Sequence, residues 1–272
     1  MLRTVSFSHK LISQFCAATR DYNIVHSAAY MHINEKKVVV PGMLLLSTIL
    51  SDANLYLGKE NSPNYFMIYF NSIVSEDDQV QIGCLPLNAD RDCWQLSAIN
   101  GKDCLSLHDN KSIMKCQVSS SLSISNGNLR LLPFDESQLF SFQQLTSFGD
   151  EATSSVLFAI AYGSMALNKA IANPESETEI EINRLLDKNI NPNRVSPFYQ
   201  SLEIELPLKP TRCNPGKELS YYIDFEREVF NKSYFANLIC EQDHQKIFLA
   251  RYQMVAIPDR LIMRKAKGLN EN

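Results

Sequence analysis

Asp21, Asn23 and His26 lie in one short stretch near the start of the chain, ahead of an apolar segment, 43–50, that Gly42 opens. A histidine has a pKa near neutrality, and a neighbouring carboxylate can set its protonation state and its orientation. An Asp/His pair of this kind suits general acid–base catalysis, in which a positioned side chain moves a proton. The types and spacing of these residues therefore predict proton transfer beside a buried helix.

Gly42 follows Pro41 at the predicted start of that helix. The first amides of a helix have no partner within the helix, and the helix dipole is positive at this end. Such an amide can stabilise negative charge that develops on a carbonyl oxygen. Glycine also lets a substrate approach the backbone closely. Gly42 is therefore the predicted oxyanion donor.

These residues belong to a longer pattern with a known counterpart. Phe15-Cys-Ala-Ala-Thr-Arg-Asp-Tyr-Asn-Ile-Val-His26, followed by Val38-Val-Val-Pro-Gly-Met43, resembles the signature of the MaoC-like dehydratases, a group that includes the R-specific enoyl-CoA hydratases. The resemblance is concentrated in residues 8–50, and the second half of the chain is similar to the family only in layout. It implies an α+β double hot-dog fold, in which each half wraps an antiparallel sheet around a central buried helix.

The resemblance also implies an activity and assigns roles to residues. The activity is that of a hydro-lyase that interconverts (3R)-hydroxyacyl and trans-2-enoyl thioesters. Asp21 and His26 would hold the water or hydroxyl group and move the protons, Asn23 would brace the loop or the water, and the Gly42 amide would bind the oxyanion. The residues expected to bind the substrate flank this group: Arg20, Tyr22, Pro41 and Met43.

No cofactor and no metal are implied, because the acyl group arrives on CoA or on the phosphopantetheine of an acyl carrier protein. The seven cysteines are widely spaced and form no Cys-x-x-Cys pair, which favours reduced thiols in a cytoplasmic protein. We expect no transmembrane helix, because no window holds 18 consecutive apolar residues. The net charge of −4 and the absence of a basic stripe argue against nucleic-acid binding. Either a monomer of fused hot-dogs or a homodimer is expected.

The pattern departs from the family at several positions. Ile24 stands where the family usually has Pro, Ala28 replaces a frequent acid, and Pro41 replaces a His. Arg20 stands where Gly is usual. Its charge could pair with Asp21 and disable the carboxylate, or it could contact a phosphate of the substrate carrier.

Two other functions stay open at this stage. A hot-dog thioesterase would cleave the thioester with a carboxylate and water, and Asp52 or Asp150 would have to serve. A non-catalytic acyl-binding subunit would result if Arg20 had inactivated the site. Convergence of Asp21 and His26 would count against this second possibility.

The chain is predicted to be an internal duplication, with a first hot-dog over 1–128 and a degenerate second one over 129–272. Asp150 follows Asp21 by 129 residues, and Phe198 follows Phe66 by 132. At the offset of 129, Ala152 and Ser155 replace Asn23 and His26. We therefore expect one site per chain, and an acyl tunnel between the two central helices with four candidate wall residues: Met43, Leu46, Ile160 and Met165.

Overall fold

The computed structural model describes ten segments of the chain, residues 3–28, 37–52, 65–88, 91–98, 103–109, 128–146, 150–186, 195–207, 211–227 and 233–258. The elements of the first half are β1 (Arg3–Val5), α1 (His9–Thr19), a 3-10 turn (Ile24–His26), α2 (Gly42–Asp52), β2 (Tyr65–Phe70), β3 (Val80–Asn88), β4 (Arg91–Ala98) and β5 (Asp103–Asp109). Those of the second half are β6 (Asn128–Pro133), α3 (Glu136–Thr146), α4 (Glu151–Ala172), α5 (Glu177–Leu186), β7 (Val195–Glu205), β8 (Glu218–Arg227), β9 (Ser233–Gln242) and β10 (Gln245–Pro258).

One antiparallel sheet of ten strands runs through the described residues in the order β1-β3-β4-β5-β2-β7-β10-β9-β8-β6. Each half contributes five neighbouring strands. Counted inward from its edge of the sheet, each half places its first strand along the chain at the edge, followed by its third, fourth, fifth and second strands. The two halves meet where β2 pairs with β7, between Tyr65↔Glu205 and Tyr69↔Ser201. The sheet therefore has the internal symmetry expected of two hot-dog units, although the domain boundary at 128/129 itself stays a prediction.

Helices α1 and α3 show the repeat residue by residue. Phe15 and Phe142 are buried at matching places, and each accepts a hydrogen bond on its backbone carbonyl from a threonine one turn later, Thr19 or Thr146. The two helices, His9–Thr19 and Glu136–Thr146, are offset by 127 residues.

The offset of 129 predicted for this region was therefore wrong by two residues. At the observed offset, Asp150 corresponds to Asn23 rather than to Asp21. Both side chains cap the turn that follows them: Asn23 Oδ1 accepts from the Val25 amide and Asp150 Oδ2 from the Thr153 amide. Capping accepts Asn and Asp alike, so the acids at positions 21 and 150 need not be equivalent.

The two central helices, α2 and α4, supply the core. Sixteen residues of α4 are buried, and the helix packs on β6, β8, β9 and β10, while α2 lies against β4 and β5. Among the described residues, α4 alone is long and apolar enough to cross a membrane, but 72% of its most apolar window is buried within the protein. Its composition is thus explained by its place in the core.

One part of the second half differs from what its sequence predicts. The polar composition of 173–194 predicts a loop, yet α5 occupies Glu177–Leu186. Arg130 of β6 fixes this helix by an ion pair with the buried Glu179, at 3.5 Å, and by a hydrogen bond to the Asn173 carbonyl. In the first half, the apolar pattern over 112–124 predicts a further strand, but that stretch lies outside the described residues.

Candidate active site

Helix α1 ends in a way that turns the chain into the Asp21 loop. Arg20 has a positive φ of 51°, and the Asp21 amide donates to the Cys16 carbonyl over 3.0 Å, as in a Schellman ending. A left-handed residue at this place is usually glycine, which accounts for the glycine common in the family signature. Arg20 adopts the same turn despite its side chain.

The loop is held by hydrogen bonds between its own residues. The Asn23 amide donates to Asp21 Oδ1 over 3.1 Å, and the His26 amide donates to the Asn23 carbonyl over 3.0 Å. The Asn23 side chain caps the 3-10 turn by accepting from the Val25 amide. Asn23 therefore braces the loop, which is one of the two roles considered for it.

His26 is fixed in one orientation by the neighbouring segment. Its Nδ1 lies 2.7 Å from the Val39 carbonyl oxygen, and the Val39 amide donates to the Val25 carbonyl over 3.0 Å. A carbonyl oxygen only accepts, so Nδ1 carries the proton and Nε2 of the neutral ring has a free lone pair. The hydrogen bond thus selects the tautomer that suits a general base.

The free nitrogen of His26 faces Asp21. Nε2 lies 3.8 Å from Asp21 Oδ2, and each side chain is 10% exposed. This distance is too long for a direct hydrogen bond but is short enough for one water or substrate hydroxyl to contact both atoms. The structure therefore brings together the two residues predicted to carry the proton transfers.

Gly42 begins α2 a short way after Val39. The Pro41 carbonyl accepts from the amides of Leu44 and Leu45, whereas the Gly42 amide has no hydrogen-bond acceptor among the residues that the structure describes. A Cβ on Gly42 would lie 2.8 Å from Cε1 of Phe70. The glycine therefore leaves room for an aromatic ring directly beside the helix N-terminus.

The other residues predicted to bind substrate are placed less favourably. Tyr22 is 73% exposed, and Pro41 and Met43 are buried in the core. Among the described residues, Arg20 forms no ion pair with Asp21. Its charge acts instead on Asp135, whose pKa is lowered mainly by a hydrogen bond from the Ser137 hydroxyl, with Arg20 a smaller cause. The possibility that Arg20 disables Asp21 by pairing is thus not supported.

The second half contributes aromatic residues that the sequence did not single out. Phe198 of β7 packs on Val25 and Val39, the two residues that flank the His26 interaction. The ring of Tyr199 lies 6.2 Å from that of Phe70, and its hydroxyl donates to Ser164 Oγ over 2.8 Å. No motif marks these residues, because they are distant in sequence from the loop they border.

The second half has no comparable acid–base pair of its own. At the observed offset, Phe148 and Thr153 stand where the first half has Asp21 and His26, and Phe148 lies outside the described residues. The Asp150 carboxylate caps α4. The first half therefore has the Asp21/His26 pair and, among the described residues, no acceptor for the Gly42 amide at the start of α2. In the second half, Asp150 caps the start of α4.

A small apolar gap separates the two central helices. The gap has room for about one water molecule. Two residues from each of four segments line it: Leu46 and Leu50, Phe66 and Ile68, Leu157 and Ile160, and Ile204 and Leu206. Two of the predicted tunnel walls, Leu46 and Ile160, line it, whereas Met43 and Met165 do not. An acyl chain could enter this gap only if the lining side chains moved apart.

No metal site is evident in the part of the chain that the structure describes. Within those residues, His, Cys, Asp and Glu side chains form no group of three or more that could hold an ion. The polar atoms of the site are instead a carboxylate, an imidazole, hydroxyls and backbone amides. These are groups for proton transfer and for binding a charged oxygen.

Three solved structures show which proteins share this fold. A MaoC-like dehydratase from Phytophthora capsici aligns with a TM-score of 0.55 and 8% identity, covering 94% of this chain and 95% of that one. A 12:0-ACP thioesterase from Umbellularia californica aligns with a TM-score of 0.50 and 10% identity, covering 94% of each chain. The Rv0216 protein of Mycobacterium tuberculosis, described as a double hot-dog, aligns with a TM-score of 0.50 and 8% identity, covering 94% and 96%.

The chain therefore has the α+β double hot-dog fold, as predicted, and its structural neighbours include MaoC-like dehydratases and thioesterases. At 8–10% identity these alignments show the fold alone. The sequence itself matches no family model and no curated protein.

Proposed function

We propose that the chain is an acyl-thioester hydro-lyase that interconverts (3R)-hydroxyacyl and trans-2-enoyl thioesters. The observation that carries the proposal is the 3.8 Å approach of His26 Nε2 to Asp21 Oδ2, with the His26 tautomer fixed by Val39. The fold alone is shared by dehydratases and thioesterases, so the function rests on this pair rather than on the alignments.

In the hydration direction, a water held between Asp21 and His26 attacks C3 of the enoyl group and gives up a proton to this pair. The pair returns a proton to C2 of the enolate, so that one water is added in total and the (3R)-hydroxyacyl thioester results. Dehydration reverses these steps. Because Nδ1 of His26 is committed to the Val39 carbonyl, Nε2 is the nitrogen that accepts and returns the proton.

The enolate that forms on the thioester oxygen needs a hydrogen-bond donor. The Gly42 amide supports this role, because it begins α2 and has no acceptor among the described residues. A preformed donor at a helix N-terminus requires no rearrangement when the charge develops. Asn23 keeps Asp21 in place through the loop.

The substrate is proposed to arrive on CoA or on an acyl carrier protein, without any other cofactor, in the cytoplasm. Arg20 is the cation next to Asp21 in sequence, and its freedom from an ion pair with Asp21 leaves it available for a carrier phosphate. A monomer or a homodimer would serve equally, because the fused halves already pair through β2 and β7.

The thioesterase stays as a second candidate because one of the structural neighbours is a 12:0-ACP thioesterase. Its proposed acid is less well supported here. Asp150 already caps α4 by accepting from the Thr153 amide over 2.8 Å, and the Asp52 side chain lies outside those that the structure describes. A non-catalytic acyl-binding subunit is disfavoured by the convergence of Asp21 and His26.

Absorbance in the enoyl-thioester band, followed together with release of free thiol, distinguishes these functions. Wild type should remove the absorbance of crotonyl-CoA, or of a carrier-linked or longer enoyl thioester, and form the R-alcohol without free thiol. His26→Ala should lose this activity by about a hundredfold or more. Release of free thiol by wild type would instead establish the thioesterase, and inactivity toward both CoA and carrier substrates would establish the non-catalytic protein.

A further inference from the structure

A β-bulge in the second half turns one tyrosine inward beside the candidate site. Strand β10 pairs Gln253 with Ser201 and then Met254 with Tyr199, so that Gln200 is an extra residue on β7. Beyond the bulge, Tyr199 is opposite the buried Met254 and so lies on the inner face of the sheet. Regular alternation from the buried Leu202 would have pointed Tyr199 outward.

The inward position of Tyr199 is secured by three contacts. Its ring lies 5.3 Å from that of the buried Tyr252 and 6.2 Å from that of Phe70, the residue that packs against Gly42. Its hydroxyl donates to Oγ of Ser164, a buried residue of α4. Tyr199 therefore connects α4, through Ser164, with Phe70, the residue beside the start of α2.

The hydroxyl of Tyr199 also lies within electrostatic reach of Asp21. Burial is the main cause that raises the pKa of this phenol, and the charge of Asp21 raises it further. A phenol in such a setting stays protonated and acts as a hydrogen-bonding group rather than as a base. The adjacent Phe198 is opposite Val255 on the other face of the strand, and it packs there on Val25 and Val39, which flank the His26 interaction.

We propose that Tyr199, held by Ser164, is a positioning residue of the site that contains Asp21 and His26, so that both halves of the chain build one active site. The proposal rests on the proposed function for the reaction that it assists. Tyr199 acts on the site in two ways: its hydroxyl lies within electrostatic reach of the Asp21 carboxylate, and its ring packs on Phe70, the residue beside Gly42. The second half, which lacks the Asp/His pair, is thereby required for catalysis.

Substitutions that remove single hydroxyls test this role. Tyr199→Phe keeps the ring contacts and should lower kcat by about tenfold or more while KM changes by less than about threefold. Ser164→Ala should act in the same direction. The double variant should be little worse than the poorer single variant, because the two hydroxyls form one unit.

Tyr221→Phe is the matched control. The Tyr221 hydroxyl is also buried and also bonds to α4, by donating to the Ala159 carbonyl over 2.7 Å, but the ring packs on Phe248 instead of Phe70. Its kcat should stay within about twofold of wild type even if unfolding becomes easier. Equal kcat values for Tyr199→Phe and Tyr221→Phe would overturn the positioning role.

A readout without turnover separates this inference from the proposed reaction. In protein labelled with ¹³C at tyrosine Cζ, the resonance lost in Tyr199→Phe identifies Tyr199, and Asp21→Asn should move that resonance but not the one of Tyr221. If wild type hydrates no enoyl thioester and the Tyr199 resonance still moves, the proposed reaction is wrong, but the contribution of Tyr199 to the Asp21 site is supported. A Tyr199 resonance that ignores Asp21→Asn overturns the inference whatever the activity.

Discussion

The rings of Phe15 and Phe142 pack against each other with centroids 5.7 Å apart, although 127 residues separate them in sequence. They occupy the same place in α1 and α3, and both are buried. Equivalent positions of the two halves thus contact each other. One of the two residues, Phe15, belongs to α1, the helix that ends in the Asp21 loop. The site is supported by the junction of the two halves.

Replacement of either ring should therefore weaken the whole molecule. Phe15→Ala and Phe142→Ala should each lower the free energy of unfolding by about 3–5 kcal/mol, the usual loss for a buried phenylalanine. Phe140→Ala is the control on the same helix, because Phe140 is 58% exposed, and it should change stability by only about 0.5 kcal/mol. Urea denaturation measures all three, and equal losses at positions 140 and 142 would refute this account of the junction.

Arg20 should be replaceable by glycine with a gain in stability. A left-handed conformation is unfavourable for a residue with a side chain by about 1–2 kcal/mol, and part of this is returned by the flexibility of glycine in the unfolded chain. Arg20→Gly should therefore raise the free energy of unfolding by about 1 kcal/mol, whereas Arg20→Ala should give no such gain.

The same variant tests the proposed contact with the carrier phosphate. Arg20→Gly should leave kcat near that of wild type and raise KM for a CoA thioester, with little effect on a short N-acetylcysteamine thioester that has no phosphate. A large fall in kcat with both substrates would show instead that Arg20 acts on the chemical step.

Gly42→Ala should damage catalysis through Phe70. The added methyl group would lie 2.8 Å from Phe70 Cε1, so the Phe70 ring or the start of α2 must shift. We expect a fall in kcat of about tenfold or more, measured by initial rates. Combining Gly42→Ala with Phe70→Leu should recover much of the loss, and full activity of Gly42→Ala alone would contradict the claim that the site needs a glycine beside Phe70.

Stability should fall in alkaline solution because two tyrosines, Tyr221 and Tyr252, are buried and a third, Tyr199, is partly buried. Burial raises the pKa of Tyr199, Tyr221 and Tyr252 in the folded state above the unfolded value of about 10. Their stabilising effect is complete below about pH 10 and is lost as the pH rises above it, by about 1.4 kcal/mol per pH unit for each tyrosine.

Urea titrations between about pH 9 and 11 should show this dependence, and Tyr221→Phe should make it shallower by the contribution of one tyrosine. Identical slopes for Tyr221→Phe and wild type would contradict the burial of this phenol.

Periodicity in the sequence predicted most of the fold. The apolar segment 43–50 became α2 (Gly42–Asp52), and the apolar stretch 156–171 became most of α4 (Glu151–Ala172). The aromatic and branched run 65–70, which is typical of a strand, forms β2 (Tyr65–Phe70). Such elements can be predicted from the sequence because each has a continuous apolar face. Strands β1 and β6 are short edge strands with few buried residues, so they leave little apolar pattern in the sequence.

Only the part of the candidate site that lies in the first half could be predicted from the sequence. Asp21, Asn23 and His26 lie in one loop, so their spacing could predict that they meet. Tyr199 and Ser164 could not be found, because they are brought to the site by the pairing of β7 and by a bulge at Gln200 that reverses the inward side of the strand. The alternation of apolar residues predicts the opposite side for Tyr199.

The central claim is that the first half, through Asp21, carries the proton transfer, whereas Asp150 only caps a helix. Hydration of an enoyl thioester that wild type accepts, compared among wild type, Asp21→Asn and Asp150→Asn, tests it most directly. Asn caps helices as well as Asp does, so Asp150→Asn should retain kcat within about twofold, while Asp21→Asn should lower it by about a hundredfold or more. An active Asp21→Asn beside an inactive Asp150→Asn would contradict the account and move the chemistry to the second half.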